Sequence, residues 1–232
     1  MNRLSVGRAA LALVLFVFIA SSSAAPVTSQ CYGTPANGRI EHAVALPPSG
    51  ANFFSYSTDP LLAGRTYVHG RVADIVVQAY AAAAHASPDS VFVYGETGLA
   101  AGGPFPPHRT HQNGLSVDFF VPVRDRGGKP TRLPSTRDNH FGYDIEFDKA
   151  GRFDAYQIDF EALAEHLYQL HKLARRQDAG LARVIVEPDY LPRLFATRRG
   201  AYLRSHIRFM KSKPWVRHDD HYHVDFAVPC KL

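Results

Sequence analysis

The sequence predicts an α+β fold: a single domain with a central antiparallel sheet, flanked by helices. Three observations carry that expectation. The chain has 232 residues, 46% hydrophobic and 20% charged, which is a globular composition of a length that one domain accommodates. Short alternating strand-like segments are interleaved with longer stretches of helical period. They do not follow the βαβ rhythm that a parallel sheet needs.

The first 25 residues read as a secretory signal. Arg3 and Arg8 give a positive start, Ala9 to Ala20 form an apolar run, and Ser21-Ser22-Ser23-Ala24-Ala25 supplies small residues for cleavage after Ala24 or Ala25. The apolar run falls short of the roughly 20 residues of a spanning helix. Nothing later is apolar enough to span, so the mature domain, 26–232, is expected to be exported, with no transmembrane segment. Loss of the two arginines takes the formal net charge from +5 to +3. With no block of like charges, that balance suits an anionic partner such as a cell wall or a membrane surface. It is too weak to point to nucleic acid.

Residues 26–68, rich in Pro, Gly, Ser and Asn, read as an irregular lead-in with short strands. Val72, Ile75, Val76, Ala79, Tyr80 and Ala83 recur at helical spacing and place a helix over 70–86. Val91 to Tyr94 is a short buried strand, Gly98 to Pro107 a loop, and Leu115 to Val123 a strand. Tyr143 to Phe147 and Arg152 to Ile158 read as a hairpin through Asp148-Lys149-Ala150-Gly151. Asp159 can cap a second helix running through Phe160, Leu163, Leu167, Leu170 and Ala174. Val184 to Val186 is a strand, a third helix is expected near Ala201 to Lys211, and the chain closes on a strand from His221 to Val228.

Cys31 and Cys230 are the only cysteines. In an exported protein the two are expected to pair. That bridge would close nearly the whole domain, for roughly 5 kcal/mol at most in the chain-entropy account. Two cysteines cannot build a Cys-rich zinc site.

The histidines cluster. In the last strand His221, His223 and Asp225 share one face and Tyr222, Val224 and Phe226 the other, which places the two imidazoles about 7 Å apart along the strand. Around residue 115, Leu115, Val117, Phe119 and Val121 form one strand face and Asp118 the opposite one, with His111 just before it across an Asn113-Gly114 turn. Two histidines and a carboxylate with an open fourth position form the ligand set of a catalytic zinc site.

The combination His111-x6-Asp118 and His221-x-His223 resembles the signature of the LAS metallopeptidases. Within that group the chain is similar to the penicillin-insensitive murein endopeptidases. Four stretches carry the closer likeness: Gly102-Gly103-Pro104-Phe105; His108-x-x-His111-Gln112-x-Gly114; Arg183-Val184-Ile185-Val186-x-Pro188; and Lys213-Pro214-Trp215-Val216-Arg217-His218-x-x-His221-x-His223. The likeness runs patchily over about 31–230.

The resemblance implies a zinc peptidase acting on peptidoglycan, periplasmic or secreted, with His111, Asp118 and His223 as zinc ligands and 26–232 as the metallopeptidase domain. It gives His108 either a place supporting a ligand or that of an additional ligand. Of His221 and His218, one would move the proton of the attacking water and the other would stabilise the oxyanion; the residues do not say which. Related D,D-carboxypeptidases carry glutamate three residues before the His-x-His. His218 at that position points to an endopeptidase. Ser116 departs from the closer family, in which aspartate is common there. A D,D-carboxypeptidase and a non-catalytic zinc module binding cell wall or a protein partner are the competing functions. Asp219 and Asp220 read as solvated turn carboxylates, as does the Asp138-Asn139-His140 loop. Trp215 and Tyr222 read as core aromatics that could instead line a groove. His69, His85, His166, His171 and His206 read as surface or helix-edge histidines.

Overall fold

The structure is a computed structural model that describes residues 28–59 and 62–232. The expected leader and its cleavage point lie outside the described residues. The lead-in forms a hairpin of β1 (Gln30–Thr34) and β2 (Asn37–Glu41), then β3 (Val44–Ala45), β4 (Phe53–Ser55) and β5 (Tyr67–Val68). Helix α1 (Gly70–Ala86) and strand β6 (Phe92–Tyr94) follow. After a long loop come β7 (Ser116–Phe120), β8 (Val123–Arg124), β9 (Pro130–Thr131), β10 (Arg152–Phe153) and β11 (Tyr156–Ile158). The chain ends with α2 (Phe160–Arg176), β12 (Gly180–Ile185), α3 (Leu191–Phe195), α4 (Gly200–His206) and β13 (His221–Ala227).

The central sheet has five strands in the order β12-β13-β7-β6-β4. It is antiparallel throughout except where β4 runs parallel to β6. The α+β single-domain architecture is therefore as the composition and rhythm of the sequence imply. The helical spacing of α1 is also as read: its buried residues are Val72, Ile75, Val76, Ala79, Tyr80 and Ala83. His69 caps it, its Nδ1 accepting from the Arg71 N–H at 3.1 Å. Asp159 caps α2 by accepting from the Ala162 N–H at 3.0 Å.

Helices α1 and α2 pack on the sheet face formed by Val117, Phe119, Tyr222, Val224 and Phe226, all within the core. The opposite face of β7 and β13 carries polar side chains instead. It is covered by the β6–β7 loop and by the segments around Tyr143 and His218. The Cys31–Cys230 disulfide is present, with 4.8 Å between Cα atoms. It ties β1 to the segment after β13, beside a Tyr32–Lys231 bridge.

Several local expectations change. Tyr143 to Phe147 is not a strand: the hairpin partner of Tyr156–Ile158 is Arg152–Phe153, turned at Asp154 with φ 48°, and β8 takes the other edge of β11. The third helix stops at His206, because Ile207 is extended and Phe209 bridges to Val184. Pro188 and Pro192 stand at the starts of a 3-10 turn and of α3, which periodicity did not reveal. The β7 strand ends at Phe120 and resumes as β8 beyond Pro122, which has no N–H to offer a ladder. His166 is a core residue rather than a helix-edge one. It is fully buried, its ring stacks on Tyr80 at 4.6 Å, and its Nδ1 hydrogen-bonds the Tyr222 hydroxyl.

Candidate metal centre and cleft

The site is built on one register. Along β7 and β13, Ser116 faces Asp225, Asp118 faces His223, and Phe120 faces His221. Because side chains alternate across a strand, the apolar partners Val117, Phe119, Tyr222 and Val224 anchor the opposite face, and the polar set emerges on a rigid platform. The buried Asp118 carboxylate is its centre. His223 Nδ1 lies 2.9 Å from Asp118 Oδ1. His111 Nε2 lies 3.3 Å from the same oxygen. His108 Nδ1 lies 3.7 Å from Oδ2.

Each of these imidazoles has its other nitrogen engaged. His111 Nδ1 meets the Thr97 carbonyl at 3.1 Å, so it carries the proton and Nε2 presents a lone pair. His108 Nε2 meets Glu96 Oε2 at 2.6 Å, and His223 Nε2 meets Asp225 Oδ1 at 2.8 Å. This tethering of the far nitrogen is the arrangement that orients histidine ligands in metal sites. His111 Nε2 is buried and has no hydrogen-bond partner. Such a group is costly to leave unsatisfied unless a ligand is meant to meet it. The His111 backbone also sits at φ +71°, a conformation that non-glycine residues adopt at a cost and that concentrates at functional sites.

His108, His111 and Asp118 offer ligand atoms all within 4.8 Å of one another and could hold a metal ion. His223 reaches the same carboxylate from the opposite strand. The structure places His111 and His223 against the same Asp118 oxygen, with His108 beside them. The donor set, imidazole nitrogens with one carboxylate, suits a borderline divalent cation such as zinc.

Beyond this cluster the His221 and His218 rings lie against each other, tilted by 39° with centroids 4.6 Å apart. His221 Nδ1 meets Asp220 Oδ1 at 2.9 Å, and His218 Nδ1 meets the Val216 carbonyl at 3.0 Å. Both residues line a cleft of about 740 Å³, and among the described residues neither Nε2 has a hydrogen-bond partner. The electrostatics of the metal-free chain follow from these contacts. Burial, aided by the neighbouring His221, pulls the His218 imidazole down to about 3. For His221, burial acts downward, but the Asp220 carboxylate outweighs it and raises the imidazole. His223 is likewise penalised by burial, yet Asp225 and Asp118 push it up to about 10. Burial lowers His111. Asp118 and Glu96 are both buried, which acts upward; the surrounding histidines nevertheless hold Asp118 well below the usual carboxylate range, and His108 and Arg65 bring Glu96 down to about 2.

Several contributors escaped the sequence. Glu96, just past the end of β6, receives Arg65 and Tyr56 as well as His108. Tyr143 accepts from the Glu96 N–H at 2.9 Å and donates to Asp118 Oδ2 at 3.3 Å. Neither lies in a motif, and only the fold brings them near. Asp225 is different, because strand alternation already placed it on the face of His223. It accepts from Ser116 Oγ at 2.7 Å and from Arg183 Nη2 at 2.6 Å, which gives Ser116 its place behind the cluster. Asp219 and Asp220 are not solvated turn carboxylates. Both are buried; Asp219 accepts from the Phe147 N–H at 2.7 Å and pairs with Arg217 at 2.9 Å. Trp215 is not core: it is 41% exposed and lines the cleft, whereas Tyr222 is core. Asp138 and His140 are exposed as expected, but on a 3-10 turn, Arg137–Gly142, and His140 pairs with Asp144 at the cleft.

Taken together, fold and site define an α+β domain with a buried, metal-capable His/Asp cluster at the floor of an open cleft. The chain belongs to the penicillin-insensitive murein endopeptidase family, whose model matches residues 31–231. It is similar to proteins of that name from Klebsiella pneumoniae (strain 342), 28% identical over 208 residues covering 87% of this chain and 68% of the relative. The same holds for Salmonella arizonae, 28% identical over 207 residues with 88% and 68% covered, and for Salmonella heidelberg, 29% identical over 210 residues with the same coverage. Membership supports a hydrolase that cleaves peptide bonds of peptidoglycan.

Proposed function

We propose that the protein is an exported zinc endopeptidase that hydrolyses the peptide cross-links of peptidoglycan, at D-Ala-linked bonds. The observation that carries this reading is the convergence of His111 Nε2 and His223 Nδ1 on one Asp118 oxygen, at 3.3 and 2.9 Å, on the floor of the cleft. His111, Asp118 and His223 would hold the zinc, with His108 as a further donor on the cleft side. Bound zinc would polarise the scissile carbonyl and make a nucleophile available near neutral pH.

The chain's own residues do the rest. His221 takes the proton of the attacking water on Nε2 and returns it to the leaving amine. Asp220, bonded to Nδ1, stabilises the imidazolium that forms meanwhile, as the orienting carboxylate of a catalytic triad does. His218 stands on the same wall; with its Nδ1–H donated to the Val216 carbonyl and its imidazole held neutral by burial, its Nε2 is a lone pair placed to accept a hydrogen bond from the attacking water or the leaving amine. Tyr143 and Glu96 keep Asp118 and His108 in position. Residues 1–25 would direct export. Among the described residues no helix is long and apolar enough to cross a membrane.

The test is digestion of purified sacculi, with the product muropeptides resolved by chromatography. Cross-linked dimers should disappear, survive chelator treatment of the enzyme, and disappear again once zinc is restored. Free D-alanine released from intact dimers would make the enzyme a carboxypeptidase. Dimers that persist beside a zinc-loaded protein would overturn the hydrolytic reading.

A further inference from the structure

The expectation that like charges form no block does not hold along one stretch of the chain outside the cleft. Between Tyr190 and His218 the sequence holds eight Lys or Arg and no Asp or Glu. This stretch runs through α3, α4, which packs on α2 and α3, and the extended segment in which Phe209 bridges to the edge strand β12. Arg198 and Arg199 are consumed by Glu165, and Arg217 by Glu146 and Asp219. Arg193, Arg204, Arg208, Lys211 and Lys213 are all exposed, and among the described residues no ion pair holds any of them. Where α4 meets α2, Lys172 lies over the Tyr168 ring, and the exposed Arg175 and Arg176 extend the same positive field.

Two features say what such a ridge would meet. It is continuous with the cleft: Lys211 and Lys213 lead through Pro214 into Trp215, Val216 and Arg217, which line it. It also carries no apolar wedge along its helical part. Among the described residues the exposed large apolar side chains are Val44, Trp215, Val216 and Leu232, so the aromatic and aliphatic pair sits at the cleft mouth rather than on α3 or α4. A membrane-binding surface would pair its basic residues with apolar side chains able to enter the headgroup layer. A polymer that lies along the ridge and enters the cleft needs only repeated anionic groups.

We propose that this basic ridge is an anchoring surface for the carboxylates on the peptide stems of peptidoglycan, holding the polymer while one cross-link occupies the cleft. The proposal rests on the function argued above for the choice of polymer. Its test reads binding separately from cleavage. The combined variant Arg204→Glu, Arg208→Glu, Lys211→Glu alters exposed side chains only, and its melting curve checks that it folds. Wild type should co-sediment with purified sacculi, more weakly as salt rises. The variant should lose about tenfold in that affinity, in the range electrostatic attraction commonly commands, and about as much in the rate of sacculus digestion. Cleavage of a small soluble cross-linked dimer should stay within about twofold, because a dimer cannot span ridge and cleft. Sacculi with amidated carboxylates should bind wild type as poorly as untreated sacculi bind the variant.

Equal sedimentation of variant and wild type would overturn the proposal. So would loss of binding to anionic phospholipid vesicles with sacculus binding unchanged, which would assign the ridge to a membrane. If wild type sediments with sacculi in the charge-dependent way but cuts neither substrate, the endopeptidase reading fails while the anchoring surface stands.

Discussion

Asp225→Asn isolates the electrostatic support of the cluster from its shape. In the native chain Asp225 is 3% exposed and accepts from His223 Nε2 at 2.8 Å, Ser116 Oγ at 2.7 Å and Arg183 Nη2 at 2.6 Å. An asparagine keeps one acceptor oxygen for His223 but loses the charge. Removing a partner of this kind behind a metal ligand costs about 10–100-fold in metal affinity, or roughly 1.4–2.7 kcal/mol. A buried charge-assisted hydrogen bond adds about 1.5–3 kcal/mol of folding stability. The lower end applies here, since the Arg183 side chain is 40% exposed and water will re-solvate it. A second signature is protonic. Two carboxylates hold His223 up to about 10 in the metal-free chain, so a cation taking Nδ1 must displace a proton at any physiological pH. With Asp225 neutralised that proton is held less tightly, and the pH dependence of zinc affinity should flatten from the alkaline side, over the range between the native value and the lowered one. Chelator competition at several pH values, with calorimetric proton release in two buffers, measures both effects. Unchanged zinc affinity and unchanged proton release would refute the reasoning, because Asp225 would then be a structural ion-pair partner of Arg183 alone.

Four other outcomes are expected. Gly95→Ala places a Cβ 2.3 Å from the Tyr143 hydroxyl and should push Tyr143 off Asp118; Tyr143→Phe should reproduce its loss of sacculus digestion without the steric strain, and full activity in both would remove Tyr143 from the site. Burial drives His166 down to about 3 against an unfolded value near 6.5, so between those pH values the unfolded chain binds the extra proton and stability falls as pH drops. The slope is at most about 1.4 kcal/mol per pH unit; metal-free urea unfolding at pH 7 and pH 5 should show it, with a smaller slope in His166→Gln. The Cys31→Ser, Cys230→Ser variant, freed of a bridge spanning 199 residues, should lose roughly 2–5 kcal/mol in the same assay. His111→Ala should abolish stoichiometric zinc binding by elemental analysis while His221→Ala retains it and loses digestion, which separates holding the ion from moving the proton.

The parts of the molecule legible in the sequence are those governed by periodicity within one element. The spacing of Val72, Ile75, Val76, Ala79, Tyr80 and Ala83 gave the buried face of α1 because a helix repeats every 3.6 residues whatever surrounds it. The alternation in β13 separated His221, His223 and Asp225 from Tyr222, Val224 and Phe226 for the same reason. What remained hidden depends on contacts far apart in sequence. Glu96 reaches His108 over 12 residues and Tyr143 reaches Asp118 over 25, through loops with no period. Asp219 and Asp220 are not solvated because the Phe147 N–H and Arg217 close on Asp219 and His221 engages Asp220. The reading of Trp215 failed in the opposite direction, since the cleft leaves exposed a residue whose size alone suggests core. His166 was misread because a polar residue on an amphipathic helix ordinarily faces water, and here an aromatic stack and the Tyr222 hydroxyl take water's place.

The placement of the cluster on strands explains why it tolerates its own electrostatics. Buried imidazoles crowd buried carboxylates, and a loop-borne set could relax by moving apart. Here Asp118 and His223 are cross-strand partners, fixed by the same ladder that buries Val117, Phe119, Tyr222 and Val224, so relaxation would cost core packing. His111 is held by a backbone at φ +71° and by the Thr97 carbonyl, and His108 by Glu96. A cation entering between them displaces the His223 proton but meets side chains already aimed, which removes much of the ordering cost of binding. The open side of the arrangement, where His218 and His221 look across the cleft, is left to the chemistry, and the scaffold's stability is spent on the side that must not move.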